Sequence, residues 1–333
     1  MSTVDIIVPL YNKQGTVART IESILSQTHT DWRLIVVDDG STDEGAKVVQ
    51  SFDDSRINLL RQDNRGPGAA RNTGINAATA DLIAFLDADD QWYPWYLENA
   101  VRAIENNAVS LVGSYYYEWP QQMDMTRHWQ RRGVRPGVHL ITNRMPPKQI
   151  EAMVLFFHVG TTLVRCETAI RYGGFYEDHC LSGEDTIFFA RLVLNEPFMV
   201  IGPAAVRHNR QDSGLSVAHD VPLSPALTDP DVILAYCSED KKQAARLFLM
   251  RLALRTAHHK ARNGLKEQAV YLLEKYPDTR RFVLEYLRCK AETKLSRWMP
   301  YWVKFKCTVG PSTRRFLKTA AVRLGLAKAP PEP

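Results

Sequence analysis

Residues 85–92 read FLDADDQW, and LIAFL (82–86), which overlaps their start, has the length and apolar character of a buried strand. Three carboxylates, Asp87, Asp89 and Asp90, fall within four positions at the end of that strand. Like charges this close repel by a few kcal/mol where water is partly excluded, so such a cluster persists beside a cation or as a solvated turn. Asp is a favoured turn former and helix N-cap, and a helical pattern begins at Pro94, so the stretch by itself suits either. The residues around it have to decide.

Upstream and downstream, short apolar runs rich in branched residues recur: DIIVPL (5–10), LIVVDD (34–39), INLLRQ (57–62), DLIAFLD (81–87) and SLVGSY (110–115). Between them lie TVARTIESILSQ (16–27), DEGAKVVQSF (43–52), PGAARNTGINAAT (67–79) and PWYLENAVRAIEN (94–106), each with apolar residues at helical spacing. This alternation predicts right-handed βαβ units, hence an α/β fold on a mostly parallel sheet. Ligands of such open sheets sit beyond the carboxyl ends of the strands. That places Tyr11 and Asn12, Asp38 and Asp39, and Asp87 and Asp89 on one rim. A turn needs no polar partners from other strands, whereas a metal-bound phosphate site needs several converging groups.

Local chemistry accounts for some of the polar residues. Ser41 with Glu44 has the spacing of a capping box and predicts a helix start, so Ser41 and Asp43 read as structural. No GxxxxGK[ST] phosphate loop occurs. RGPGAARNTG gives Gly66 and Gly68 the first two places of a dinucleotide fingerprint, but Arg71 holds the third, where helix and strand must pack closely. Arg71 instead suits a guanidinium near a helix start, facing a nucleotide or phosphate, or simply solvent.

The 333 residues, 45% hydrophobic and 24% charged, predict a globular chain of roughly two units. No apolar run approaches the ~18 residues of a membrane span, and MSTVDIIVPL lacks a leader's basic and cleavage regions. Five dispersed cysteines without a CxxC pair suggest neither a disulfide framework nor zinc, and fit a reducing cytoplasm. Charge is uneven: residues 241–333 hold 22 Lys and Arg against 6 Asp and Glu, leaving 20 against 31 before them.

In order along the chain, IIVPLYNKQGTVARTIESILSQT, LIVVDDGSTD, NRGPGAARNTG and AFLDADDQW resemble the nucleotide-binding half of family 2 glycosyltransferases with a GT-A fold. The four motifs in register cover residues 4–92, and weaker signals continue to about residue 217. The resemblance implies sugar transfer, usually with inversion, from a nucleoside diphosphate donor, most often UDP-linked, helped by Mn²⁺ or Mg²⁺. It also implies that Pro9 and Tyr11 pack on the base, that Asp39 accepts a hydrogen bond from it, and that Asp38 supports that contact. Asp87 is expected near the ribose or the metal's water shell, Asp89 as the direct metal ligand, and Asp90 as an orienter of the loop. A divalent cation bridging the diphosphate would neutralise charge developing on the leaving group.

Downstream, Gly183-Glu184-Asp185 precedes an apolar helical run and resembles the family's acceptor-side ED motif, with Asp185 as the expected general base. The simpler reading is an acidic helix N-terminus. VRHNRQDSGLS (206–216) resembles a flexible segment closing over the diphosphate; Arg207 and Arg210 are candidates for phosphate or acceptor, as is Glu184, and His208 for the metal or a loop cap. Trp119, Trp129 and Tyr115–Tyr117 suggest an acceptor wall, although core packing is the commoner fate of such rings.

The expected organisation is residues 1–113 for the donor half, 114–234 for the acceptor half and 235–333 as a basic helical extension. In the extension, RLFLMRLALRTAHHKAR has leucines and basic residues on separate faces, and KLSRWMPYWVKFK mixes aromatics with cations as interfacial membrane anchors do. No nucleic-acid fold signature accompanies it. Attachment to the inner face of the cell membrane would suit a saccharide acceptor that is lipid-linked, as in surface polysaccharide assembly. Two other readings stay open: a NAD-dependent oxidoreductase built on Gly66, Gly68 and Asp87, and a non-catalytic, membrane-held nucleotide-sugar sensor or scaffold.

Overall fold

A computed structural model describes residues 2–177, 183–212 and 222–294. The chain divides into two compact units, Met1–Ala245 and Arg246–Pro333.

Strand and helix alternate through the first unit as the apolar spacing predicts. β1 (Val4–Leu10), α1 (Val17–Leu25), β2 (Trp32–Asp39), α2 (Gly45–Gln50), β3 (Ile57–Gln62), α3 (Pro67–Ala77) and β4 (Leu82–Phe85) come first. A short β5 (Gln91–Trp92), α4 (Tyr96–Glu105) and β6 (Leu111–Trp119) follow. β1 and β4 are buried along nearly their whole length, which is why they read as continuous apolar runs rather than alternating ones. α3 starts with Pro67 at its first position, after Gly66 in the left-handed region at φ 90°.

The second stretch is less regular: β7 (Met123–Asp124), α5 (Thr126–Arg131), β8 (Gly137–His139), α6 (Pro147–Phe156), β9 (Thr162–Arg165), α7 (Cys166–Arg171), α8 (Glu184–Asn195) and β10 (Phe198–Asn209). Among the described residues ten strands form one sheet, with β3-β2-β1-β4-β9-β6-β10-β5 in order, β7 beside β6 and β8 beside β10. β1, β2, β3 and β4 are parallel, as are β6 and β10, while β9 runs antiparallel between β4 and β6. The fold is therefore α/β with a mostly parallel sheet. Because β9 is reversed, the 3-10 turn Val159–Thr161 that leads into it lies at the rim formed by the carboxyl ends of its neighbours.

Short helices α9 (Pro225–Thr228) and α10 (Asp231–Leu234) end the unit, and α11 (Lys242–Arg262) crosses the division between units. The second unit continues with α12 (Lys266–Lys275) and α13 (Val283–Lys294), with Ala269, Leu272, Tyr286 and Cys289 buried. Leucines and cations do not separate onto two faces of α11: Phe248 through Leu254 are buried on every side, Arg251 among them, and so is Lys260. The aromatic, basic stretch from Leu295 onward lies outside the described residues. Among the described residues no helix is long and apolar enough to cross a membrane, and Cys166, Cys237 and Cys289 are free thiols.

Candidate active site

The acidic stretch after β4 is a tight turn, closed by Asp90 N donating to the Asp87 carbonyl (3.0 Å). It is held from α1. Thr16 and Thr20 hydroxyls donate to the carbonyls of Ala88 and Asp90 (both 2.8 Å), and the Arg19 guanidinium reaches the Asp89 carbonyl (3.2 Å). From the end of β10, Asn209 donates its side-chain amide to the same Asp89 carbonyl (2.5 Å) and its backbone N–H to Asp90 Oδ1 (2.7 Å). Turn and charge cluster are thus one structure, and its carboxylates point to three different cations.

Asp87 pairs with the Arg71 guanidinium (2.8 Å), whose other arm holds Glu184 at the start of α8 (2.9 Å). Arg71 is 4% exposed and does not face solvent or a free pocket; it ties the turn after β4 to the acceptor-side helix. Besides the nucleotide-facing role expected of it, Arg71 thus links donor-side and acceptor-side elements. Burial works hardest against ionisation of Asp87, yet Arg71 overcomes it and holds the carboxyl below its usual range. Asp89 has the opposite fate: burial and the charges of Asp87 and Asp90 push it up to about 6. What it does have is the Lys13 ammonium, 2.6 Å from Oδ2. Asp90 Oδ2 meets His208 Nδ1 at 3.0 Å; despite burial, that contact raises the imidazole to about 8. His158, on the turn before β9, packs against His208 with ring centroids 5.5 Å apart, and burial with the neighbouring imidazole drives it down to about 3, so it stays neutral. Among the described residues its buried Nε2 has no hydrogen-bond partner.

Could this place hold a divalent cation? Among the described residues no three His, Cys, Asp or Glu side chains are arranged to ligate one by themselves. The chemistry of the donor set fits nonetheless. Asp89 is a crowded carboxylate whose negative charge Lys13 already neutralises as a stand-in cation, and His208, fixed through Nδ1 by Asp90, would offer Nε2 as a ligand on losing the proton that atom carries near neutral pH. Mg²⁺-type ions are commonly held by one or two protein groups and completed by water and substrate phosphates.

Asp185, second residue of α8, accepts from Thr186 N (2.6 Å). Burial and the adjacent Glu184 raise it to about 6, which suits a proton acceptor at neutral pH. Arg207 and His208 do not lie in a loop: both belong to β10, and the closing segment from Ser213 lies outside the described residues. The Arg207 guanidinium sits 3.5 Å over the Trp119 ring, and Arg210 pairs with Glu118 (3.1 Å).

On the donor side Tyr11 is 48% exposed beside the buried end of β1, and Pro9 lies opposite Val37 of β2. Asn12, at φ 51°, receives Thr42 N on Oδ1 (2.9 Å). Asp39 is spent on the following loop: Gln62, Arg65 N and Gly66 N all donate to it, at 2.7 to 3.0 Å. Asp38 receives Ser41 N (2.9 Å). No capping box forms. The Ser41 hydroxyl accepts from Asn12 N (3.1 Å), and α2 begins only at Gly45, with Asp43 accepting from Gly45 N and Gln14 N (both 2.9 Å). Gly68 owes its identity to packing, since a Cβ there would come 2.5 Å from the Tyr176 carbonyl.

The aromatic wall is only partly a surface. Tyr115 and Trp129 are core, packed on Phe156 at 5.4 and 5.6 Å, and Tyr116 is 7% exposed. Tyr117 and Trp119 remain half-buried, and Tyr93 with Trp95, stacked at 5.1 Å, joins Tyr117 to extend the shelf.

A sequence profile described as glycosyl transferase family 2 matches residues 5–173, half of the chain, and these residues carry the β1–β4 framework and its acidic turn. The chain belongs to that family. This family 2 transferase is 41% identical over 114 residues, 34% of its own length and 45% of the relative's, to a protein of Escherichia coli named UDP-Glc:alpha-D-GlcNAc-diphosphoundecaprenol beta-1,3-glucosyltransferase WfgD. It is 36% identical over 117 residues to the uncharacterised glycosyltransferase EpsJ of Bacillus subtilis, covering 34% of each chain. It spans less than half the length of these curated relatives. Its fold is that of Staphylococcus aureus TarS residues 1–349, solved with UDP-GlcNAc, at a TM-score of 0.65 and 19% identity over 87% of this chain and 88% of that one. The architecture is thus GT-A.

Lys13, Thr16, Arg19, Thr20, His158 and Asn209 went unnoticed in the sequence. Lys13 lies inside a quoted motif, but nothing in its local pattern distinguishes it from a surface cation.

Proposed function

We propose that this glycosyltransferase moves a sugar, with inversion, from a UDP-sugar to a saccharide hydroxyl of a lipid-linked acceptor, with Mn²⁺ or Mg²⁺ bound at Asp89. The observation that carries the reading is the bridge Asp87–Arg71–Glu184, which joins the donor-side acidic turn to the acceptor-side helix bearing Asp185. An inverting displacement needs a leaving diphosphate on one side of the sugar and a proton acceptor for the attacking hydroxyl on the other, and these two elements could supply both.

Asp89 would hold the cation, with His208, which meets the neighbouring Asp90, as a second candidate; when bound the ion supplies charge neutralisation to the diphosphate. On that reading Lys13 gives up Asp89 as the cation arrives, and its ammonium becomes available to a phosphate oxygen. Asp185 would take the acceptor proton, and its raised affinity for protons strengthens it as a base. Arg71 would hold Asp87 and Glu184 in place, and with them the two elements that carry Asp89 and Asp185. The shelf of Tyr93, Trp95 and Tyr117 offers ring faces to an acceptor sugar. UDP as carrier and a diphospholipid acceptor are suggested by what the relatives' names say of them, and with them a place on the inner face of the cell membrane in surface polysaccharide assembly.

A NAD-dependent oxidoreductase is disfavoured by Arg71. It fills the third fingerprint position and is committed to two carboxylates at the place where a dinucleotide fold needs a glycine. A non-turning sensor predicts donor binding without chemistry. Release of UDP from UDP-sugars, with Asp185→Asn as comparison, tests the proposal: the variant is expected to bind donor as tightly as the parent while kcat falls 10²- to 10⁴-fold. Equal turnover by Asp185→Asn would remove Asp185 from the mechanism, and no turnover by the parent with any donor and saccharide acceptor would favour the sensor.

A further inference from the structure

Apart from the active site, the first unit carries one strong charge anomaly. Residues 1–240 hold 20 Lys and Arg against 31 Asp and Glu, yet between Asp124 and Glu151 there are six cations, Arg127, Arg131, Arg132, Arg135, Arg144 and Lys148, and no carboxylate. In contrast to Arg127, Arg131 and Arg135 among these, the surface arginines Arg33, Arg61, Arg65, Arg102, Arg171 and Arg210 each have a carboxylate within reach. Arg127 and Arg131 project one turn apart from α5 and, with Arg135, line an open cleft of about 410 Å³ closed by Gln130 and Pro136. All three are exposed, and among the described residues no carboxylate pairs with them.

Cations alone would suit any polyanion. The same excursion, however, also exposes large aliphatic side chains, Met123 at 48%, Val138 at 54% and Leu140 at 43%. Unpaired arginines beside exposed aliphatics are what an anionic bilayer surface takes: phosphates accept the guanidinium forks while apolar groups enter the headgroup boundary. Nucleic acid is a poor match, since the exposed apolar residues here are not ring systems on which bases could stack. Position adds a reason. Met123 of β7 lies opposite Glu118 of β6, and Glu118 lies opposite His208 of β10, so the excursion leaves the sheet two strands from the acidic turn, roughly 10 Å away.

We propose that residues 123–140 form a docking face for anionic phospholipid, through which this unit itself, independently of the basic tail, meets the membrane. If the acceptor is lipid-linked, as the proposed function holds, this face brings the rim to it; the docking claim stands or falls without that reading.

Amide hydrogen exchange of the full-length chain tests it, measured alone, with phosphatidylcholine vesicles, with vesicles containing phosphatidylglycerol, and with soluble inorganic pyrophosphate. Residues 123–140 are expected to gain protection with the anionic vesicles alone. In Arg127→Gln/Arg131→Gln/Arg135→Gln the vesicle concentration giving half-protection of this segment should rise at least tenfold, with the melting temperature unchanged. Protection confined to residues after Arg246, equal protection by neutral vesicles, equal protection by pyrophosphate, or an unaltered response in the triple variant would each overturn the proposal. Donor titration on the same samples separates the two claims, because loss of donor binding in the parent would strike the proposed function and leave the vesicle result intact.

Discussion

Arg71→Met removes the cation between Asp87 and Glu184 while keeping most of the side-chain volume. Breaking a buried pair by deleting one partner costs about 3–5 kcal/mol, because the other charge is left without compensation. Here two carboxylates are stranded, but the Asp87 side chain is 30% exposed and water screens part of its charge; Glu184, at 10%, is the more costly. The expected loss is therefore about 3 kcal/mol, a large fraction of the ~5–15 kcal/mol by which a domain is usually stable. Denaturant unfolding followed by tryptophan fluorescence measures it. The pH dependence follows in sign. In the parent, Asp87 binds protons less tightly folded than unfolded, so its contribution is present above the unfolded pKa near 4 and is lost only as pH falls below that. Without Arg71 burial alone acts on Asp87 and disfavours its charged form, so the variant recovers stability as pH falls and the gap to the parent narrows. Arg71→Met/Glu184→Gln should regain a good part of the loss. A loss below about 1 kcal/mol, a gap that widens on acidification, or a double variant less stable than Arg71→Met would refute the bridge as a structural element.

Further outcomes follow from the same geometry. His208 is raised to about 8 by Asp90, so its contribution is complete below the unfolded pKa near 6.5 and lost as pH rises through about 8; His208→Gln should flatten that part of the stability profile, by at most about 2 kcal/mol. Lys13→Ala should tighten Mn²⁺ binding measured by electron paramagnetic resonance in the absence of donor, since the competing ammonium is gone, while weakening UDP binding in the presence of metal. Because Asp185 titrates near 6, kcat should rise with pH through that value in the parent and lose that limb in Asp185→Asn. Gly74→Ala would place a Cβ 2.4 Å from Ile7 Cγ2 in the β1–α3 contact, and should cost about 1–3 kcal/mol in the same unfolding assay without altering donor affinity of the folded fraction.

How much of this could be seen beforehand depends on the range of the interactions. β1 to β4 and their helices were legible because buried parallel strands read as unbroken apolar runs, and the acidic turn because three carboxylates in four residues need an explanation. Local rules failed where a distant group intervened. Ser41 has the right spacing for a capping box, but Asn12 takes its hydroxyl, and α2 starts later. The helix carrying Arg71 is legible, but its link to Glu184 is not, since Glu184 is 113 positions away. Tyr115 and Trp129, which suit either a sugar-binding wall or the core, are core, because nothing in a run of rings says which side of a strand will be covered. The reversed β9 and His158 before it have no periodic signature at all; their position follows from β9 sliding between β4 and β6.

The most direct test is calorimetric titration of UDP into the purified chain with Mn²⁺ and with EDTA, in the parent and in Asp89→Ala, with GDP, dTDP and NAD as comparisons. Binding of a single nucleoside diphosphate that vanishes both with EDTA and in Asp89→Ala is the predicted result. Binding that ignores metal and survives Asp89→Ala, or binding of NAD alone, would contradict a cation site at Asp89 and return FLDADDQW to the status of an acidic turn.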